Sequence, residues 1–526
     1  MNLRLTEIRL YLDEGEGQLK TRAASLLNLS PYDILSLSII RKGLDSRQKN
    51  QINFVYTLHV EIEDHLSEKI DFSLPWIKVV EKEERATFPG LSTPIRPVIV
   101  GAGPAGLFAA LRLTEYGLQP LILERGKAIK ERVKDVERFW KERKLDPESN
   151  VQFGEGGAGT FSDGKLTTRV DDRRISYILK TFINAGADPE IGYLAKPHIG
   201  TDRLRSIVVN IRKLLIERGC EVRFGTKVTG IGIKNNKLAS IRINDSEEIV
   251  TDRLILAIGH SARDTYKILS ESGVEMISKS FAIGLRAEHP QPLIDKIQFG
   301  KCAGHASLGS AEYAITHNMK EHGRSAYSFC MCPGGVVVNA SSEPASLVVN
   351  GMSHSGRDTG YANSALIVNV TPEDFGKHAL AGVEFQRKWE ELAFIHGGSN
   401  YNAPAQNIME FCEGGKGYAL NKSTFLPALE HTDLSLCLPY YVTDSLKEAL
   451  PVFDRKMRGF LSKESTLIGV ETRTSAPLRM LRGSNMQSIS VAGIYPCGEG
   501  AGYAGGIMSS ALDGIKVADT IAKECD

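Results

Sequence analysis

Over residues 1–90 the apolar positions change period twice. Leu3, Leu5, Ile8, Leu10 and Leu12 alternate with polar neighbours and predict a strand, whereas Leu19, Ala23, Leu26 and Leu27 take helical spacing. Ile52, Phe54, Tyr56, Leu58, Val60 and Ile62 return to strict alternation, the mark of a half-buried strand. A small N-terminal α/β sandwich of βαββ type is expected over 1–90, with Pro75, Pro89, Gly90, Pro94 and Pro97 marking the linker. The pattern then changes again. A short β-branched run at 98–100 leads into a helix from Pro104 to Tyr116, ended by Gly117, and a second strand at 120–124. A charged helix (127–144), a glycine-rich loop (153–165), a helix near 202–218, a strand at 221–224 and a β-rich meander to 250 follow. Residues 253–259 read as a buried strand ending in glycine.

Residues 265–480 mix helices with strand runs at 335–340, 347–350 and 365–370. The C-terminus repeats the earlier order: a strand at 489–492, a glycine-rich turn and a helix from about Gly506. The expected fold class is α/β: a two-part Rossmann-like domain (91–264 and 481–526), an inserted mixed α+β domain (265–480) and the small N-terminal sandwich.

Composition narrows the function classes. The chain has 526 residues, 42% hydrophobic and 24% charged, with a net charge of +1, so its overall electrostatics favour neither nucleic acid nor an anionic membrane. Arg41, Lys42, Arg47 and Lys49 form a local basic patch. Yet residues 1–90 hold 12 basic and 14 acidic side chains, so nucleic-acid binding is not expected. No apolar run reaches the length of a membrane span, and the N-terminus lacks a signal-peptide core. Eight cysteines in a chain of this length are not a disulfide framework; reduced thiols and a cytoplasmic location are expected. The oligomeric state is not legible.

The candidate chemistry begins at Val98, where the chain reads Val-Ile-Val-Gly-Ala-Gly-Pro-Ala-Gly. Gly101, Gly103 and Gly106 form G-x-G-x-x-G between a strand and a helix, and Glu124 closes the next strand, 23 residues after Gly101. That is the context a dinucleotide fingerprint requires. Gly101 permits the tight turn, Gly103 the approach of a pyrophosphate, and Gly106 close helix–strand packing. Pro104 and Ala105 open a helix whose N-terminus favours phosphate, and Glu124 can accept from a ribose. Arg125 and Val228 join the cofactor-binding set.

Three features select FAD over NAD. Gly498-Glu499 resembles the Gly-Asp pair that meets the ribityl chain in glutathione-reductase-type flavoproteins. A helix beginning near Gly505, Gly506 and Ile507 would aim its positive end at the flavin. The strand end at Gly259 resembles one that crosses near the nucleotide in the same proteins. Loop residues Gly156, Gly157, Ala158 and Gly159 allow close approach to the flavin ring, with Thr160, Ser162 and Lys165 as hydrogen-bonding candidates. No second fingerprint of this kind follows, so no dedicated NAD(P)H domain is expected. The electron partner is then a small molecule or a protein.

The fingerprint, the Gly-Gly-Ala-Gly-Thr-Phe-Ser-Asp-Gly-Lys run ending at Lys165, Leu-Arg-Ala-Glu-His-Pro-Gln at 285–291, Phe-Cys-Met-Cys-Pro-Gly-Gly at 329–335, Asn-Gly-Met-Ser at 350–353, Ala-Asn-Ser-Ala at 362–365 and the glycine-rich 496–506 segment together resemble the family of uncharacterised FAD-dependent dehydrogenases, also called NAD(FAD)-utilising dehydrogenases. The resemblance spans nearly the whole chain. It implies bound FAD, a two-part FAD domain with an inserted substrate domain, and a family C-terminal domain of unassigned role. It supplies no substrate.

Catalytic candidates outside the cofactor set are Cys330, Cys332, His289 and His354. The Cys-x-Cys pair is either a redox dithiol or two cysteines packed beside a cofactor, and ring strain in a reducing compartment weighs toward packing. No metal is expected there, because two further ligands are lacking. The histidines are possible proton donors. Arg286, Arg324 and Arg357 are possible clamps for an anionic substrate, and Cys497 a small buried neighbour of Glu499. The reading is an FAD-dependent oxidoreductase of unidentified substrate. The alternatives are an FAD-dependent enzyme acting on RNA and a non-catalytic flavin-binding sensor.

Overall fold

The computed structural model describes residues 1–81, 88–168, 170–414 and 418–525. It is a mixed α/β structure with parallel and antiparallel sheets. The N-terminal sheet has the order Ile34–Asp45, Asn53–Ile62, Asn2–Tyr11, Ile77–Val79, with helix Leu19–Leu26 packed on it. The first strand shows why its apolar spacing skips a step between Leu5 and Ile8. The ladder to Asn53–Ile62 slips between those residues, and Glu7 takes a left-handed φ of 61°. One bulge residue restores the parity, so Leu3, Leu5, Ile8 and Leu10 all face the core. The outer strand Ile34–Asp45 is sealed at Lys42, whose N–H donates to Tyr193 O at 2.8 Å while its carbonyl accepts from Ala195 N at 2.8 Å. The basic patch is partly spent internally: Lys42 Nζ lies 2.6 Å from Glu16, and Arg47 lies 2.7 Å from Asp45.

A five-stranded sheet runs in the order Ile494–Pro496, Leu254–Leu256, Val98–Val100, Leu121–Leu123, Glu221–Arg223, and every pairing is parallel. Val98–Val100 is first in the chain and central in the sheet. The chain builds outward on one side of it, then crosses to the other. That reversal leaves a crevice beyond the carboxyl ends of Val98–Val100 and Leu254–Leu256, where ligands bind in open α/β sheets. Helices Pro104–Glu115 and Ile507–Cys525 lie together against this sheet, so closely that a Cβ at Gly514 would stand 2.1 Å from Ala105 O.

The C-terminal strand is not the predicted one. Ile489 is exposed, and residues 488–493 form a turn in which Ser488 N–H donates to Ile494 O at 2.7 Å. Gly493, at φ 85°, releases the chain into the strand Ile494–Pro496. Ala492 instead bridges Lys237 of the strand Lys237–Ile243, and Val491 is buried.

The third large layer is a seven-stranded sheet in the order Thr316–Met319, Arg324–Cys332, Tyr361–Val370, Phe281–Pro290, Thr466–Glu471, Ala403–Asn407, Leu429–His431. Phe281–Pro290 and Tyr361–Val370 pair along ten residues each and are almost wholly buried. Ile283, Leu285, Leu366, Val368 and Ile468 meet Leu446 and Phe453 of helix Tyr440–Lys456 in the core. No helix among the described residues is long and apolar enough to cross a membrane.

Candidate functional site

Three glycine turns meet in the crevice. Gly101 leaves Val98–Val100 at φ 105°, and a Cβ there would sit 2.3 Å from Ala257 O. A Cβ at Gly106 would sit 2.0 Å from Gly101 O, so this glycine sets the close approach of helix to strand. Gly103 differs. Its φ is an ordinary −82°, and a Cβ would meet nothing nearer than Gly157 Cα at 3.7 Å. A Cβ there would make no more than ordinary contact.

Gly156 N–H donates to Ala102 O at 2.8 Å and ties the 153–165 loop across the turn. From the third strand, Gly498 N–H donates to Asp513 Oδ2 at 2.7 Å, and Arg482 grips the same carboxylate at 2.7 and 2.9 Å. Gly500 backs onto Gly259, where a Cβ at Gly500 would lie 2.5 Å from Gly259 O. A Cβ at Gly259, Gly505 or Gly506 would meet nothing within 4 Å. The result is a backbone-lined cradle at the mouths of two helices, suited to a long phosphate-bearing ligand with a flat ring.

Glu124 stands at the floor of this cradle with its carboxylate engaged. Oε2 accepts from Ala102 N at 2.9 Å, and Oε1 accepts from Gly126 N and Gly154 N, each at 2.9 Å. It clasps three backbone segments together. Only the remaining capacity of Oε2 is free for a ribose, which narrows the role expected of it.

Arg132 was not legible as a site residue. It is fully buried and donates to five carbonyls: Asn150 O at 2.9 Å, Val151 O at 2.9 Å, Gly154 O at 3.2 Å, Glu155 O at 2.6 Å and Gly157 O at 3.0 Å. One guanidinium thus shapes the loop that faces Gly103. Burial lowers its pKa to about 9. A signal for it exists: Arg132 falls on the apolar stripe of helix Ile129–Glu142, beside Ile129, Val136 and Phe139.

The other expected cofactor residues divide. Arg125 stacks on Phe153 at 4.1 Å and is held by Glu148 at 2.6 Å and by Asp264 at 2.8 and 2.9 Å, so its guanidinium is already occupied. Val228 is buried in the ladder opposite Ile243. Ala158 begins the single turn Ala158–Phe161, in which Thr160 is buried and donates to Glu155 O at 3.3 Å, turned inward. Ser162 donates to Gly159 O at 2.7 Å. Pro104 and Ala105 occupy the first helical positions, and Ile507 opens the last helix.

Lys165 carries its ammonium to 3.6 Å from Asp163, beside the two cysteines of the Arg324–Cys332 strand. Burial opposes its charge, but Cys332, Asp163 and Cys330 around it raise its pKa. Glu499 is partly buried. Burial raises its carboxyl pKa to about 7, Lys279 pulling the other way and Cys330 adding to the rise.

The remaining candidates fall outside the cradle. His289 is fully buried, stacked on Phe460 at 4.5 Å and hydrogen-bonded to Phe460 O at 3.0 Å; burial lowers its pKa to about 4, so it stays neutral. His354 is half exposed, with Nδ1 3.9 Å from Asp202. Arg286 forks onto Glu471 at 2.6 and 2.8 Å, Arg324 onto Asp374 at 2.6 and 3.2 Å, and Arg357 onto Asp163 at 2.6 and 3.2 Å. These three arginines serve internal ion pairs and are not free clamps. Cys497 is fully buried, and burial raises its thiol pKa. All eight cysteines are free.

Comparison with known proteins gives the class first. Residues 280–474 match the family model described as FAD-dependent protein, C-terminal domain-like, and residues 2–61 match a domain of unknown function. The chain is 47% identical over 534 aligned positions to an uncharacterised protein of Clostridium beijerinckii (strain ATCC 51743 / NCIMB 8052), covering 100% of this chain and 99% of that one. It belongs to the same family as that protein. Among solved structures it is similar to the flavin-dependent brominase Bmp2, at a TM-score of 0.37 and 13% identity over 82% of this chain and 79% of that one. It is also similar to glycine oxidase from Bacillus cereus ATCC 14579, at 0.32 and 12% over 82% and 98%. L-amino acid deaminase from Proteus myxofaciens overlaps at 0.32 and 10% over 84% and 93%.

Proposed function

We propose that this protein is an FAD-dependent oxidoreductase of the dehydrogenase family its motifs resemble, within the glutathione-reductase-type flavoproteins. The observation that carries the reading is the glycine cradle, in which Gly259, Gly505 and Gly506 leave room that a side chain would fill. The match of residues 280–474 to an FAD-dependent protein model supports it independently. The proposed division is an FAD domain from 91–264 and 481–526, with residues 265–480 carrying the substrate side. When bound, FAD supplies two-electron hydride chemistry at its ring.

The chain's own residues do the rest. The 101–105 turn and the N-terminus of Pro104–Glu115 would hold the pyrophosphate, where backbone N–H groups and the helix dipole favour negative charge. Arg132, through the carbonyls it collects, keeps the 150–157 loop close to that turn. Gly498, Glu499 and the opening of Ile507–Cys525 would hold the ribityl chain and ring. With a pKa near neutrality, the Glu499 carboxyl can hold or release a proton at physiological pH. The electron partner is proposed to be a small molecule or a protein, with no second fingerprint to retain a nicotinamide nucleotide.

Acid extraction of the purified protein tests the reading. It should release FAD without covalent attachment, in near-stoichiometric amount. Release of FMN, or no flavin from a folded sample, would remove it.

A further inference from the structure

The Arg324–Cys332 strand does not run straight to its end. Its ladder with Tyr361–Val370 slips between Phe329 and Cys332, and Cys330 takes a left-handed φ of 46°. For a residue with a side chain that conformation is strained, and the surroundings hold it. Arg286 Nη1 donates to Cys330 O at 3.2 Å, and the Cys332 thiol donates to the same carbonyl at 3.3 Å. On the far side the Pro333-Gly-Gly turn is tightly packed: a Cβ at Gly335 would lie 3.0 Å from Cys332 Cβ, and one at Gly334 would lie 1.7 Å from Arg357 O.

The bulge has one result that packing alone does not require. It folds two cysteines that an extended strand would hold apart back toward each other, so that the Cys332 thiol turns onto the Cys330 residue itself and reaches its carbonyl. The two are also unequal. Cys330 is partly exposed and Cys332 is fully buried. The positive groups nearest them are Lys165, from the loop that faces the cradle, and Arg286, from the neighbouring strand; the acids acting on them are Asp163 and Glu471.

We propose that Cys330 and Cys332 form a redox-active dithiol that reduces a disulfide substrate, Cys330 attacking and Cys332 resolving. The proposal rests on the cofactor reading above for its return to the reduced state. Cys330 sulfur, as thiolate, bonds to one substrate sulfur and the other leaves as a thiolate. Cys332 then bonds to Cys330 sulfur and expels the second. The Cys332 proton and one proton from solvent end on the two substrate thiols, and the net change is one disulfide reduced and one formed. Return to the dithiol takes two electrons from reduced flavin and two protons, one from the flavin and one from solvent.

The charges suit these roles. The neighbouring Cys332 thiol lowers the Cys330 thiol pKa to about 6, against burial and with help from Lys165 and Arg286. The proximity of Cys330, with burial, raises that of Cys332. The attacking sulfur is thus ionised at neutral pH, while its partner keeps a proton until the mixed disulfide forms.

The holoprotein is equilibrated anaerobically in graded mixtures of reduced and oxidised dithiothreitol, quenched with iodoacetamide and digested. The peptide spanning both cysteines should convert from doubly alkylated to an unalkylated form lacking two hydrogens as the buffer becomes oxidising. Cys330→Ser and Cys332→Ala should each abolish that form, with melting curves confirming the fold. Lys165→Met should slow alkylation of Cys330 at pH 5.5 by about fivefold, through loss of the neighbouring positive charge. A peptide that stays doubly alkylated in fully oxidising buffer overturns the dithiol. FAD is extracted from the same sample. Bound FAD without the disulfide leaves the cofactor reading standing and sinks this one. A disulfide in protein that carries no FAD sinks the flavin as its reductant.

Discussion

Replacing Glu499 by Gln should change how stability responds to pH, in a direction opposite to most carboxylates. Burial raises the folded-state pKa of Glu499 from an ordinary 4.5 to about 7. Between those values the folded chain keeps a proton that the unfolded chain has released, so stability falls as pH rises. Below pH 4.5 both states are protonated and Glu499 costs nothing. Above pH 7 both are ionised and the full cost is present. A shift of this size corresponds to about 3 kcal/mol at 1.36 kcal/mol per pKa unit. Gln keeps the shape and cannot ionise, so E499Q should match the wild type near pH 4.5 and exceed it at pH 8 by up to about 3 kcal/mol. Urea unfolding of flavin-free protein at pH 5, 6, 7 and 8 measures this through the widening gap between the two midpoints. Parallel pH profiles, or a variant less stable than wild type at pH 8, would refute the argument that Glu499 is a desolvated carboxyl. The same experiment bears on FAD, because a group that titrates near neutrality should also impart a pH dependence to cofactor affinity that E499Q lacks.

The two fingerprint glycines should separate in their effects. Gly103→Val has an unstrained backbone, and its Cβ meets nothing nearer than Gly157 Cα at 3.7 Å, so it should fold while losing FAD; retained flavin would show that the turn at Gly103 is not the cofactor's. Gly106→Val places its Cβ 2.0 Å from Gly101 O and should lose soluble folded protein altogether. Glu390→Ala should destabilise by about 3–5 kcal/mol, read as a lowered melting temperature, because it strips the buried Arg263 and Arg473 of a shared carboxylate. Glu343 stays 2.5 Å from Arg263, so a loss at the lower end would fit and no loss would not.

Much of the parallel sheet was legible because its signals are local. Gly101 and Gly106 carry their constraints within a few residues, and Pro104 and Gly117 bound the helix between them. Strand existence was clear at 98–100, 121–123 and 254–256, where apolar runs are short and flanked by turn residues. The strand at 494–496 was misplaced because Ile489 offered a plausible alternation, and only the tertiary turn at Gly493 decides between the two. Glu124 was legible as an acid at the right distance, but not its three backbone partners, one of which, Gly154, comes from chain that folds back from beyond it. Arg132 was hidden for a similar reason: its five acceptors are carbonyls, which leave no trace in side-chain identity. The bulge at Cys330 was equally silent, since nothing in Phe-Cys-Met-Cys requires a left-handed residue.

The position of Ile494–Pro496 has a bearing on how the protein is made. Gly498 and Glu499 reach the cradle only from this outermost strand, which leaves the ribosome after the whole seven-stranded sheet. The N-terminal sheet is complete by residue 79 and can fold early, whereas the five-stranded sheet must hold its exposed edge at Leu254–Leu256 until Ile494–Pro496 has been made. A chain cut short between residues 256 and 494 would present an unpaired parallel edge and lack one wall of the cradle. Cofactor capture would therefore wait on synthesis past residue 506, and bound flavin would itself report that the nascent chain has passed that point.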